Sequence, residues 1–237
     1  MHIKKLLQLT HLKIAEWFLT APYKKWKKYD KSVNNVFIDF VNCVNQIPQA
    51  KVLEIGSRNV SGSVRKHYFS NADGYVGFDF HSGENVDVVG DAHELSRLLD
   101  ENSFDAVFCF SVFEHIAMPW KLVIEINKIL KPGGMLFIAT HPCWPPHELP
   151  WDFWRFQPEA FNVLLNSKTG FQLEQCFQGE PAKIIPLVEG SALRSLIQCE
   201  THLSVAVLAK KVFDVDDNFA WDFPVNEIIL SNYPDPK

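Results

Sequence analysis

The spacing of hydrophobic and polar residues changes along the chain, from helical spacing near the amino terminus to short apolar runs. Apolar residues recur on one arc over 3–20, which predicts an amphipathic helix. A second helix is predicted over 33–47 and ends at Pro48. Beyond it, short apolar runs alternate with helical patterns, and the run 106–110 is apolar on both faces, as in a buried parallel strand.

This alternation predicts an α/β fold, a Rossmann-like doubly wound and mostly parallel sheet with an N-terminal helical extension. The predicted strands cover 52–56, 75–80, 104–110, 134–140, 171–178 and 203–212, with a weaker strand at 86–89. The predicted helices between them cover 61–69, 92–99, 119–130, 158–166 and 189–197. We therefore expect a basic arm at 1–32, a sheet domain at 33–212 and an irregular C-terminal tail at 213–237.

Composition narrows the class of protein. The chain has 237 residues, of which 47% are hydrophobic and 22% charged, as is ordinary for a soluble globular protein. Its five cysteines form no Cys-x-x-Cys pair, which argues against a zinc knuckle or a disulfide framework and favours reduced thiols. No apolar run approaches the roughly 18 residues of a membrane span. A cytoplasmic protein is the expectation.

The net charge of −5 hides an uneven distribution. Residues 1–31 contain eight lysines and two acidic residues, so this arm carries +6 and the remainder −11. The acidic body disfavours nucleic acid as a substrate. Two interpretations of the arm stay open. It caps the core or forms a homodimer contact, or residues 3–28 bind peripherally to an anionic membrane surface.

The segment that follows the first predicted strand carries the first candidate chemistry. Glu54 lies near the end of that strand, and Gly56 opens a tight turn into a polar loop. This is the position of a nucleotide-cofactor site in an open α/β sheet. The loop lacks the second and third glycines of a pyrophosphate-binding fingerprint, which argues against a dinucleotide and a nicotinamide oxidoreductase.

Three further segments follow at ordered positions. Gly77-Phe-Asp79 places an acid after the second strand, where a carboxylate accepts hydrogen bonds from ribose hydroxyls. Asp91-Ala92-His93 is placed to frame an adenine amino group. Ser111-Val-Phe-Glu-His-Ile116 follows the next strand, and Leu130-Lys-Pro-Gly-Gly134 turns into the one after it.

As an ordered set, these segments resemble the class I S-adenosylmethionine-dependent methyltransferases, in particular the small-molecule type often called type 11, over roughly residues 50–178. Each segment alone is weak, and the set is specific. The family usually has Gly-x-Gly in its first loop, and here Arg58 replaces the second glycine. The chain is similar to a subgroup in which Gly-Ser-Arg-Asn-Val replaces the glycine-rich turn.

The resemblance implies S-adenosyl-L-methionine as cofactor and assigns residues to it. Asp79 would hold the ribose, Phe80 would pack on the adenine, and Glu54 would favour the cationic amino-acid end. The implied cofactor-binding residues are Glu54, Gly56, Ser57, Arg58, Asp79, Phe80, Asp91, Ala92 and Ser111. His93 has a second interpretation as a solvent-facing residue at a helix start. For Glu114 and His115, a structural interpretation is that they stabilise the loop in which they lie.

The segment 141–156 is the candidate acceptor side, because it leaves the carboxyl end of a predicted strand. Its aromatic and polar side chains suit a sugar or another polyhydroxylated ligand, with Trp144, Asp152 and Arg155 as candidate substrate-binding residues. His141 and His147 are the candidate catalytic bases, and a structural role for each stays open. A metal held by His147 and Asp152 would have only two nearby ligands, so no metal is predicted.

These patterns predict an S-adenosylmethionine-dependent methyltransferase that acts on a small molecule or a glycan, with O-methylation favoured. An alternative from another class is a non-catalytic cofactor-binding or scaffold partner in a biosynthetic complex. Arg58 and the reduced glycine loop are the features that keep this alternative open.

Overall fold

The computed structural model describes residues 14, 33–60, 62–70, 72–186, 190, 193, 196, 199–216 and 218–229. The chain divides into two compact units, residues 1–31 and 32–237, and the fold below is that of the second. The helix predicted at 3–20, the arm at 3–28 and most of the helix predicted at 189–197 lie outside the described residues. Among the described residues, no helix has the length and apolar character to cross a membrane.

A seven-stranded sheet forms the centre of the second unit, in the order β3-β2-β1-β4-β5-β7-β6. Neighbours among β1 to β5 are parallel, whereas β7 is antiparallel to both β5 and β6. The strands are β1 (Ala50–Ile55), β2 (Ala72–Asp79), β3 (Val88–Val89), β4 (Phe104–Phe110), β5 (Leu130–Thr140), β6 (Phe171–Ala182) and β7 (Thr201–Lys211). The predicted fold class, a mostly parallel Rossmann-like sheet, is confirmed.

Helices cover both faces of this sheet. They are α1 (Val33–Val44), α2 (Leu95–Leu98), α3 (Pro119–Ile129) and α4 (Pro158–Leu164). Short 3₁₀ turns lie at Lys66–Tyr68, Ala92–Glu94, Phe113–His115 and Val225–Glu227. Alternate residues of β4 face opposite ways: Phe108 packs in a cluster with α1, and Val107 in a second cluster with α3. Burial of each such side chain stabilises the fold by about 1.5–3 kcal/mol.

The predicted helix at 61–69 is wrong over most of its length, because only Lys66–Tyr68 forms a 3₁₀ turn among its described residues. Gly62 has a φ of 80°, and its N–H donates to Asn59 Oδ1 at 2.8 Å, so the chain makes a turn where a helix would need negative φ. The predicted helix at 92–99 is likewise split into a 3₁₀ turn and the short α2.

Candidate functional site

A cavity of about 660 Å³ opens at the carboxyl ends of β1, β2 and β4. This is where open α/β sheets bind ligands. Gly56 lies at its floor with a φ of 76°, and a Cβ atom there would lie 2.3 Å from Val112 Cγ2. The turn after β1 therefore requires glycine for both its backbone conformation and its close packing.

Asp79 ends β2 at one side of the cavity, with its carboxylate held by the neighbouring backbone. The N–H of Arg58 donates to Oδ2 at 3.2 Å, and the N–H of His81 donates to Oδ1 at 2.9 Å. Arg58 Nε lies 3.6 Å from Oδ1, so the loop arginine pairs with the acid. Phe80 is 58% exposed, and its ring centroid lies 6.1 Å from that of Trp151, which also lines the cavity.

Asp91 and Ala92 line the cavity beside the end of β3. Asp91 caps the 3₁₀ turn and accepts hydrogen bonds from the backbone N–H of His93 at 2.9 Å and from its ring Nδ1 at 2.6 Å. Partial burial acts to raise the pKa of Asp91, but these hydrogen bonds outweigh it, and the net pKa is lowered. His93 is 8% exposed and its Nε2 accepts the N–H of Met118 at 3.1 Å, so the solvent-facing interpretation of this histidine is wrong.

Glu54 is buried behind the cavity and is not among the described residues that line it. Its carboxylate accepts hydrogen bonds from the hydroxyl of Tyr75, from Asn85 Nδ2 at 3.2 Å and from Arg65 Nη1 at 3.3 Å. Burial raises the pKa of Glu54, although the bond from Tyr75 and the charge of Arg65 act in the opposite direction. In this geometry Glu54 reaches a cofactor only through Arg65, which lines the cavity.

Ser57 is also buried at the cavity, and its hydroxyl donates to the carbonyl of Asn85 at 2.8 Å. The cofactor residues assigned by resemblance therefore gather around one cavity, apart from Glu54.

Ser111 lines the cavity after β4 and contacts His141, which is not itself among the described residues that line the cavity. Ser111 has a φ of 51°, a strained conformation for a residue with a Cβ, and its Oγ lies 3.2 Å from His141 Nε2. His141 Nδ1 lies 2.9 Å from the carbonyl of Leu203 and must donate to it, since a carbonyl only accepts. In a neutral ring this leaves Nε2 as the proton acceptor, facing Ser111. The His141 ring stacks on Trp144 with centroids 4.6 Å apart.

Glu114 lies beside this histidine and is fully buried. Its Oε2 accepts the hydroxyl of Thr140 at 2.6 Å. Its Oε1 has no hydrogen-bond partner among the described residues, and His141 Nε2 lies 3.5 Å from it. A buried carboxylate oxygen without a donor is unusual, because nearly all buried polar atoms are hydrogen-bonded.

His115 and His147 form a second pair of rings next to Glu114, with centroids 4.7 Å apart. His115 Nδ1 contacts the carbonyl of Trp151 and therefore donates to it. His147 Nδ1 lies 3.3 Å from the carbonyl of Pro145 and 3.4 Å from Asp152 Oδ2. Of this pair, His115 lines the cavity.

Asp152 and Arg155 hold the 141–156 segment together. Arg155 Nη1 and Nη2 donate to the two oxygens of Asp152 at 2.6 and 2.7 Å. Its Nε donates to the carbonyl of Trp144 at 2.9 Å. This ion pair lowers the pKa of Asp152. Neither side chain is among the described residues that line the cavity, so their predicted role in substrate binding stays a prediction. Trp144 is 42% exposed beside His141.

Among the residues that line the cavity, His115 and Trp151 were not predicted as binding residues. From the sequence, His115 was given a loop-stabilising role, and Trp151, which is 57% exposed, was not singled out. The signal for His115 was present in the Phe-Glu-His motif after β4. No sequence signal places Trp151, because its position depends on how the 141–156 segment folds back.

Comparison with known proteins supports the same class. The family described as "Methyltransferase domain" matches residues 61–138. A ubiquinone biosynthesis O-methyltransferase from Xanthomonas campestris is 26% identical over 123 residues, which cover 46% of this chain and 50% of that protein. The chain spans half or less of the length of the first curated relatives that it matches.

Solved structures show the fold. YcgJ from Bacillus subtilis superposes with a TM-score of 0.53 at 16% identity, covering 75% of this chain and 97% of that one. The trans-methyltransferase CalH in complex with SAH superposes with a TM-score of 0.50 at 16% identity, covering 73% and 55%. The family match over residues 61–138, the shared fold and the cavity at the carboxyl ends of β1, β2 and β4 all agree with the resemblance seen in the sequence to the class I S-adenosylmethionine-dependent methyltransferases.

Proposed function

We propose that this protein transfers a methyl group from S-adenosylmethionine to a hydroxyl of a small molecule or a glycan. The observation that carries the proposal is the position of His141 Nε2, 3.2 Å from Ser111 Oγ at the edge of the cofactor cavity. With Asp79 as the ribose acid and Asp91 beside the adenine, as the resemblance implies, the methionine end of the cofactor would face Ser111.

The chemistry asked of the protein is modest. The sulfonium is a good leaving group, so the enzyme must align the acceptor oxygen with the methyl carbon and remove one proton. The acceptor O–H would give its proton to His141 Nε2, the new O–C bond would form as the S–C bond breaks, and S-adenosylhomocysteine would leave. The bond from Nδ1 to the Leu203 carbonyl fixes the tautomer that this step needs.

The acceptor class rests on the surface beside His141. Trp144 is exposed beside His141 and Trp151 is exposed at the cavity, and aromatic rings of this kind pack on the apolar faces of sugars or rings. The similarity to a ubiquinone biosynthesis O-methyltransferase supports a small-molecule hydroxyl as acceptor. A turnover screen against nucleotide sugars, free sugars and phenols, read by S-adenosylhomocysteine formation, would identify the acceptor.

His141→Asn tests the base. Asparagine can still donate to Leu203 but offers no basic nitrogen, so we expect turnover to fall by about 10²–10⁴-fold. Calorimetry should show S-adenosylhomocysteine affinity within about 3-fold of wild type, because the residue acts on the acceptor. The parallel variant His147→Asn tests the second predicted base. A larger loss of turnover in His147→Asn than in His141→Asn would exchange the two roles.

A second candidate function is that of a non-catalytic scaffold partner, and Arg58 is the observation that favours it. Its backbone N–H and its guanidinium both engage Asp79, the acid that would hold the ribose. The guanidinium group is 3.6 Å from the carboxylate and only partly buried, so it competes with ribose hydroxyls for the same oxygens.

Arg58→Ala separates these functions. If the arginine competes with the ribose, removing it should tighten S-adenosylmethionine binding by about 2–5-fold, which corresponds to the energy of a partly exposed ion pair. If Arg58 instead contacts the cofactor, the variant should bind it more weakly by a similar factor. Absence of S-adenosylmethionine binding by both proteins at high micromolar concentration would favour the scaffold function.

A further inference from the structure

We propose that Glu114, His115 and His147 form a binding site for a divalent transition-metal ion such as zinc, next to the cofactor cavity. One ligand atom from each of these residues lies within 4.8 Å of the others. Two imidazoles and one carboxylate, with further positions left open, form a ligand set found in catalytic zinc sites and in other transition-metal sites.

The unpaired oxygen of Glu114 is the first observation that points to a cation. Glu114 is fully buried, and its Oε1 has no hydrogen-bond donor among the described residues, while Oε2 is used by Thr140. The neighbouring His141 Nε2 lies at 3.5 Å and carries no proton when its Nδ1 donates to Leu203. A metal ion would supply the positive charge that a buried carboxylate oxygen needs.

The orientation of the two histidines is an independent observation. Each is held through Nδ1: His115 by the carbonyl of Trp151, and His147 by the carbonyl of Pro145 and the carboxylate of Asp152. Metal-ligating histidines are held in this way, because the outer hydrogen bond fixes the ring and leaves the other nitrogen unprotonated. In both neutral rings Nε2 is therefore the nitrogen that is free to bind a metal ion, and His115 Nε2 lies 3.8 Å from Glu148 Oε2.

The loop that carries His147 explains why the site can close. Zinc holds nitrogen and oxygen ligands at about 2.0–2.2 Å, which requires the donors to approach one another to about 3.5 Å. The ligand atoms here lie within 4.8 Å of one another, and His147 lies on the 141–156 segment, so a rotation of its ring would bring its nitrogen toward the other two ligands. The ion pair between Asp152 and Arg155 stabilises this segment.

The site would act on the acceptor, and this part of the inference rests on the proposed function. His115 lines the cavity, so an ion bound there would have an open position toward the methionine end. An acceptor hydroxyl bound to that ion would have a lowered pKa, and its proton would pass to His141 Nε2 as the methyl group transfers. Metal binding itself does not depend on methyl transfer.

Metal uptake by the full chain, without cofactor or acceptor, tests the site. After dialysis against zinc, elemental analysis should find about one ion per chain, and Co²⁺ should give the visible absorption of a low-coordinate nitrogen and oxygen site. Glu114→Gln, His115→Asn and His147→Asn should each weaken zinc binding at least about 10-fold. His67→Asn is the matched control, since His67 is exposed and stacks on Tyr68 outside the site, and it should bind like wild type.

Thermal unfolding and S-adenosylhomocysteine binding of each variant identify a folding failure. Glu114→Gln keeps an acceptor for Thr140 and is the variant expected to fold best. The proposal is overturned if wild type takes up no zinc at high micromolar concentration, or if the three variants bind it as wild type does. Absence of methyl transfer with zinc binding intact would instead count against the proposed function.

Discussion

Two glutamates lie buried near the carboxyl ends of neighbouring strands, and their surroundings differ. Glu54, in β1, receives hydrogen bonds from Tyr75, Asn85 and Arg65. Glu114, in the turn after β4, receives one from Thr140 on one oxygen and none on the other among the described residues. Burial is the largest cause of the raised pKa of Cys109, and the charges of both glutamates raise it further.

This difference indicates that Glu54 contributes to the stability of the fold and Glu114 to the chemistry of the site. A buried carboxylate with three donors, one of them a guanidinium, is compensated by the protein itself. A buried carboxylate with a bare oxygen lacks this compensation, and such groups concentrate at functional sites. The comparison predicts that removal of Glu54 damages stability and that alteration of Glu114 damages chemistry.

Glu54→Ala is expected to have the largest effect. It would leave the guanidinium of Arg65, the hydroxyl of Tyr75 and the amide of Asn85 without their common acceptor, which costs about 3–5 kcal/mol for a broken buried ion pair. Urea denaturation should show this loss of unfolding free energy. The matched control Glu174→Ala, on an exposed residue of β6, should change it by less than about 0.5 kcal/mol. A loss below about 1 kcal/mol for Glu54→Ala would break the comparison.

Glu114→Gln is the reverse case and the second in size. The amide keeps an acceptor for Thr140 and removes a buried charge, so the free energy of unfolding should stay within about 1 kcal/mol of wild type. Turnover should fall by about 10²-fold, because the group next to His141 and His115 no longer carries its charge. Equal damage to stability and turnover would show that Glu114 serves the fold in the same way as Glu54.

The sequence predicted the sheet because its strands are dictated by local patterns. The run 106–110 in β4 is apolar on both faces, and Lys131-Pro-Gly-Gly134 marks a turn after a predicted helix, so a mostly parallel sheet with a site at its carboxyl ends followed from general rules. The turn inside the predicted helix at 61–69 was not predicted, because the sequence does not show the hydrogen bond from the N–H of Gly62 to Asn59 Oδ1. Glycine permits the positive φ that this turn needs, but it does not require it.

The site could be predicted where it depends on strand ends and not where it depends on a folded-back loop. Asp79 ends β2, Asp91 follows the end of β3 by two residues, and both lie at the cavity as expected. Glu54 was expected to face the cofactor, yet Tyr75 and Asn85, 21 and 31 residues away, enclose it. The approach of His147 to His115 depends on the path of 141–156, which no spacing rule fixes.

The smallest expected effect is the pH dependence of stability that the titration of Glu54 causes. Burial raises the pKa of Glu54 above its ordinary value of 4.5, so the folded protein binds this proton more tightly than the unfolded chain. Stability contributed by this group is present below the unfolded pKa and is lost as pH rises through the folded pKa. Unfolding free energies of wild type and Glu54→Gln, compared from pH 4.5 upward, should therefore diverge, with wild type losing stability relative to the variant. Other carboxylates titrate equally in both proteins and cancel in the difference. An opposite slope would mean that the hydrogen bonds to Glu54 and the charge of Arg65 outweigh burial, so that the fold lowers the pKa of this group.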